Sequence, residues 1–314
     1  IKGAVKAIND IEAEVCLIGN RDIINNKIKE FLNQSIDEKH VSHSYLFVGI
    51  DGIGKTLFAR EFAKKILCLN GKGDSCESCI KWDSNNHPDF LQIEPENNTI
   101  KIEQIRNMQE EISVKPIASN KKVFLIVNSD CMTKESQNCL LKTLEEPPEY
   151  ATIILTTSNE SKLLNTIKSR CMKIPFQKIE ESELEEYAKN VLNLNLSKEF
   201  IKICEGSIGK LLEIEEDKEV YTEVNNLLDN IERYNFTTLI NKAEVLYKER
   251  EKIQEILEYI NVYLYNQKDM KKLNCIKYVE KVKKRLLANS NYDMCIDYLL
   301  MKLWEEINEK YSRC

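Results

Sequence analysis

One octapeptide constrains this chain more than any other stretch: Gly49-Ile50-Asp51-Gly52-Ile53-Gly54-Lys55-Thr56. The apolar run Tyr45-Leu46-Phe47-Val48 stands directly before it, and Leu57, Phe58, Phe62 and Ile66 recur after it at helical spacing, so the order is strand, glycine loop, helix. Glycines let the backbone curl until several N–H groups face one point, and the helix N-terminus adds favourable partial charge for an anion. The pattern G-x-x-x-x-G-K-[ST] in this setting reads as a cradle for the phosphates of ATP or ADP, formed by Gly49, Gly52 and Gly54. Lys55 would reach the β- and γ-phosphates, and Thr56 would ligate magnesium. A loop retained for its turn geometry after binding was lost is the alternative reading.

Two more apolar runs, Val123–Val127 and Thr152–Thr157, each lead into helical patterns, and the first of these helices halts before Pro147-Pro148 because proline cannot donate into the helical ladder. Short buried strands alternating with helices predict a parallel, three-layer α/β sheet. All nine glycines lie at or before Gly209 and all six prolines at or before Pro175, which predicts helix throughout Lys210–Cys314. The expected organisation is an α/β P-loop domain over 17–175, a small helical lid over 176–218 and an all-α bundle over 219–314. Residues 1–16 are read as an N-terminal extension to which no motif assigns a role. Ten of the thirteen tyrosines fall in the last region, where a ring with a polar tip suits bundle cores and helix interfaces.

Charge and hydropathy exclude several classes. With 45 Lys+Arg against 51 Asp+Glu the net charge is −6, and the acidic excess lies in the first 220 residues, so neither part is a basic nucleic-acid glove. No apolar run reaches the roughly 18–20 residues a membrane span needs, and the start lacks the pattern of a secretory signal, so a cytoplasmic location without membrane contact is expected.

Eleven cysteines in 314 residues are too sparse for a disulfide scaffold. Cys16, Cys131, Cys139, Cys171, Cys204, Cys275 and Cys295 sit singly among apolar neighbours and read as small buried hydrophobes. Cys68, Cys76 and Cys79 cluster at 68–79 as C-x7-C-x2-C, with the C-x-x-C knuckle of structural zinc. Zinc needs a fourth ligand such as Asp74 or His87; three reduced thiols in a degenerated module are the other reading.

Hydrolysis asks for more than a cradle. P-loop ATPases place an acid at the end of a neighbouring strand to hold magnesium, whereas here the strand ends Val127-Asn128. The nearest acid, Asp130, lies roughly 10 Å beyond Val127 if the chain stays extended. Nucleotide binding without efficient turnover is the expectation.

His43-Ser44-Tyr45-Leu46-Phe47 before the loop, the cysteines after its helix, Asn86-His87-Pro88-Asp89-Phe90, Leu140-Leu141-Lys142-Thr143-Leu144-Glu145-Glu146-Pro147-Pro148 and Ser169-Arg170-Cys171 together resemble the bacterial clamp-loader AAA+ family over roughly 17–215. The resemblance implies a helical collar at 219–314 that oligomerises, and partnership with gamma/tau and delta subunits of DNA polymerase III. It also implies work on a sliding clamp and primer-template DNA. In this family the arginine of S-R-C, here Arg170, reaches in trans into a neighbour's ATP site. Two departures favour the weakly hydrolysing delta-prime branch over the gamma/tau motor branch: Val127-Asn128 replaces the motor's Asp-Glu, and Gly209 stands where a sensor arginine is expected. A third, Trp82 in place of the zinc module's last cysteine, bears on metal binding.

Overall fold

The computed structural model describes residues 26–308 apart from 39, 72–75, 193, 195 and 197, so the N-terminal extension, Cys16 and Asp74 lie outside the described residues. The strands β1 (Ser44–Val48), β2 (Phe90–Ile93), β3 (Lys122–Ile126), β4 (Ala151–Thr157) and β5 (Met172–Pro175) form one sheet in the order β2-β3-β4-β1-β5. Every pairing is parallel, with Leu46 opposite Leu155 and Val48 opposite both Thr157 and Pro175. Three strands match the apolar runs in the sequence. The two that the runs do not announce, β2 and β5, are the two edges and only four residues long, and β5 ends in Pro175, a residue that edge strands tolerate.

Alternation along the strands divides the core. Leu46, Phe124 and Ile153 point to one face and pack with Ile105 and Leu140, while Tyr45, Phe47, Leu125 and Ile154 point to the other and pack with Phe62. Burying each such side chain stabilises the fold by about 1.5–3 kcal/mol. The helix Lys55–Leu67 covers the second face. The helix Lys134–Glu145 covers the first; the Thr133 hydroxyl caps its start, accepting from the Ser136 N–H at 3.2 Å, and it stops before Pro147.

The described residues divide into two compact units. One contains the sheet and runs to 183, with 207–209 added; the other comprises 184–206 and 210 onward. In the second, helices follow one another from Lys210 to Asn308, as the missing punctuation predicts. Its core includes Phe200, Tyr221 and Tyr259, with ring centres 5.0–5.6 Å apart. No described helix is long and apolar enough to cross a membrane. Of the single cysteines, Cys171, Cys204, Cys275 and Cys295 are buried; Cys131 and Cys139 are only half-buried, and the Cys139 thiol donates to Gln109 Oε1 at 3.2 Å.

Candidate nucleotide loop, arginine edge and cysteine cluster

The glycine loop follows the carboxyl end of β1 and opens the helix Lys55–Leu67. The Gly49 N–H donates to Thr157 O at 3.2 Å, tying the loop to the end of β4, and Gly54 caps the helix at φ 90°, a left-handed conformation. The curl that a phosphate cradle needs is therefore formed. Lys55, however, lies within its own loop: it is buried, and Nζ donates to Gly49 O at 2.8 Å and Ile50 O at 2.7 Å. Burial lowers its pKa, while the charges of Asp51, 3.8 Å away, and Asp130 act in the opposite sense.

The loop is also gripped from outside. The Gly209 N–H donates to Gly52 O at 2.8 Å, and the buried Ser207 hydroxyl donates to Asp51 O at 2.8 Å. A Cβ on Gly209 would stand 2.6 Å from Gly52 Cα, and one on Gly52 would stand 2.4 Å from Ser207 Oγ. Gly209 is thus a close backbone contact, a role no local sequence signal discloses.

Asp130 departs from the extended-chain expectation. Asn128 at φ 51° turns the chain, and a single 3-10 turn over Ser129–Cys131 folds it back. Thr157 Oγ1 donates to Asp130 Oδ1 at 2.9 Å, the Ser158 N–H approaches the same oxygen at 3.4 Å, and the carboxylate acts on Lys55. The acid therefore faces the P-loop end of the sheet.

Arg170 occupies the other end. It lies two residues before β5, and its carbonyl accepts from Ser44 Oγ at 2.6 Å at the very start of β1. Because β1 and β5 run parallel, the five residues of β1, about 16 Å of strand, separate Arg170 from the glycine loop. The guanidinium is one third exposed, donating from Nη2 to Glu145 Oε1 at 2.5 Å and from Nη1 to Thr166 O at 2.9 Å. Glu145 belongs to the L-L-K-T-L-E-E-P-P run, so the two most specific sequence motifs meet as one ion pair. Burial pushes the neighbouring Cys171 thiol up to about 11, which keeps it a neutral packing group.

Cys68, Cys76 and Cys79 come together with all Sγ atoms within 4.8 Å; Cys68–Cys76 is 3.8 Å and Cys76–Cys79 is 3.6 Å. A tetrahedral zinc with Zn–S of about 2.3 Å sets its sulfurs about 3.8 Å apart, so these thiols fit three of its corners. Burial and the two neighbouring thiols push Cys79 up to about 12, and bound positive charge is what would bring it to thiolate. His87 does not supply the fourth corner. Its Nε2 is 2.8 Å from Ser78 Oγ, Nδ1 accepts from the Asp89 N–H at 3.1 Å, and burial lowers its pKa. Trp82 packs on Phe90 with ring centres 4.5 Å apart.

A five-stranded parallel sheet with a glycine loop after β1 defines a P-loop α/β protein. Residues 24–180, half of the chain, match the family described as DNA polymerase III, delta subunit, and the chain belongs to that family. It is 39% identical over 163 residues to the DNA polymerase III subunit delta' of Bacillus subtilis, covering 51% of this chain and 50% of that one. With the gamma/tau subunit of Mycoplasma pneumoniae it shares 33% over 221 residues, 69% of this chain and 31% of the relative. The chain thus spans half the length of the first relative and under a third of the second. A gamma subunit-related protein from Thermotoga maritima has the same fold, with a TM-score of 0.54 at 17% identity over 88% of this chain and 99% of that one.

Proposed function

We propose that this chain is a delta-prime-type clamp-loader subunit of DNA polymerase III. It assembles with gamma/tau and delta subunits in the cytoplasm, supplies Arg170 to a neighbour's ATP site, and helps place a sliding clamp on primer-template DNA. Its P-loop domain (17–175), lid (176–218) and oligomerising collar (219–314) divide the work of site and assembly. The observation that carries this reading is the position of Arg170. It stands at the end of the sheet opposite its own P-loop and one third exposed, so any phosphate it serves belongs to another molecule. A guanidinium offered there stabilises charge on a transferring phosphoryl group. The match to a delta-prime subunit over the P-loop half supports the same branch.

Gly49, Gly52, Gly54, Lys55 and Thr56 are the residues that would hold ATP or ADP with magnesium, and Lys55 must first leave its two carbonyls. The bound ion would supply charge neutralisation between phosphates. Cys68, Cys76 and Cys79 would hold zinc as a structural cross-link. Purified protein is expected to carry close to one equivalent by elemental analysis and Cys79→Ser less than a tenth; less than a tenth in the unaltered chain contradicts the zinc site.

Reconstitution with gamma/tau, delta and clamp tests the main reading. Arg170→Ala is expected to assemble normally and lower clamp-stimulated ATPase by about tenfold or more. That is part of the 10³–10⁵ an arginine finger provides, because other sites keep their own arginines. Normal assembly with an unchanged rate contradicts it. The return of Asp130 toward Lys55 favours one second reading, a gamma/tau-type motor with Asp130 on magnesium. Steady ATP turnover by the isolated chain, abolished by Lys55→Ala, would establish that reading instead.

A further inference from the structure

The helix Met270–Leu287 carries seven cationic side chains against one acid, Glu280, in a chain whose net charge is −6. Lys277, Lys281, Lys284 and Arg285 are exposed and spaced i, i+4, i+7 and i+8, which sets them on one face, opposite the buried Cys275, Val279 and Val282. Two tyrosines interleave with them. Lys277 Nζ lies 4.7 Å from the Tyr278 ring centre, and Lys281 Nζ and Arg285 Cζ lie 5.1 and 4.7 Å from that of Tyr298. The two rings meet edge to face at 6.4 Å, and Lys281 Nζ donates to the Tyr298 hydroxyl at 3.2 Å.

Among the described residues no carboxylate pairs with Lys281, Lys284 or Arg285; Lys277 has Glu306 at 3.9 Å. The one acid of the helix, Glu280, stands at i−4 from Lys284 but is engaged by Asn261 at 2.6 Å and Lys283 at 3.4 Å, and Lys281 has cations, Lys277 and Arg285, at both i−4 and i+4. The favourable helix-end dipole accounts for Lys284 and Arg285 in the last turn but not for Lys277 and Lys281 above them. Stacking on the rings holds three of the cations in place, so less side-chain entropy is lost when an anion arrives. From Lys277 to Arg285 the stripe is about 12 Å long, a length of duplex axis over which one strand presents three or four phosphates at about 3.4 Å of axis each.

We propose that this stripe binds the phosphodiester backbone of duplex DNA without reading its bases. The proposal stands independently of the roles given to Arg170 and the P-loop. It is tested on the full chain by fluorescence anisotropy with a labelled duplex of about two helical turns, titrated with salt. Four phosphate contacts predict a slope of log affinity against log salt of about −3 to −4. The triple variant Lys281→Gln, Lys284→Gln, Arg285→Gln changes only exposed side chains; it is expected to weaken low-salt binding at least tenfold and to flatten the slope by about 3. If that variant fails to fold by circular dichroism, Lys281→Gln and Lys284→Gln are each expected to reduce the slope by about 1. Absence of low-salt binding, or variants that keep both affinity and slope, overturns the proposal. So does polyglutamate binding the stripe more tightly than the duplex, which assigns the face to an acidic protein.

Discussion

At the carboxyl end of β1 the glycine loop is turned in on itself: Lys55 is buried, its hydrogens are given to Gly49 and Ile50, and Gly209 presses on Gly52. At the amino end of β5, on the same pair of strands, the Arg170 side chain is a third exposed and, among the described residues, is held by Glu145 and one helical carbonyl. Both ends present cationic chemistry suited to phosphate. One has committed it internally and the other leaves it where a second molecule can reach. A parallel sheet makes this separation unavoidable, because residues before and after its strands fall on opposite edges. This contrast is what the proposed role, completing a neighbour's site more readily than running its own, rests on.

If the P-loop end is structural in this sense, substitutions there should lower stability, while those at the arginine edge should leave it alone. Gly209→Val is expected to have the largest effect. Its Cβ falls 2.6 Å from Gly52 Cα, so the backbone contact must open at a loss of about 2 kcal/mol or more in urea unfolding. An unchanged midpoint would mean the two segments part without resistance. Lys55→Ala, which strips two carbonyls of their donor, is expected to lower stability by about 1 kcal/mol.

A pH-dependent effect follows from His87. Burial lowers its pKa below the ordinary 6.5, so the unfolded chain takes up its proton first. The neutral ring's contribution is complete above pH 6.5 and is lost as pH falls through the lowered value in the fold. Thermal melts from neutral to mildly acidic pH should show this decline, and His87→Gln should flatten it; an equal slope in both proteins would remove His87 as the cause. The smallest effect belongs to the arginine edge. Glu145 is half-exposed, so Glu145→Gln should shift stability by less than about 1 kcal/mol despite the short contact to Arg170. A larger loss would make that edge structural and erase the contrast between the two ends.

Legibility in the sequence followed the range of the interaction. β1, β3 and β4 are apolar runs that lie in the middle of the sheet, and the glycine loop is fixed by residues within eight positions of one another. β2 and β5 are short edge strands whose few side chains show no period. The 128–131 turn hides in a single left-handed Asn128, so an extended chain places Asp130 too far away. Gly209 against Gly52 and Arg170 against Glu145 are contacts between distant segments, and nothing local announces either. The basic stripe was concealed differently: near-balanced charge over the last third averages away the one helix that holds seven cations against a single acid.

The central claim is that this chain lends an arginine and does not depend on its own lysine. It is tested most directly by placing Lys55→Ala and Arg170→Ala side by side in the assembly with gamma/tau, delta and clamp, and measuring clamp-stimulated ATP hydrolysis. The account predicts that Lys55→Ala leaves the rate within about twofold of the unaltered assembly, while Arg170→Ala lowers it by about tenfold or more. The reverse pattern, a rate lost with Lys55 and kept without Arg170, would contradict it.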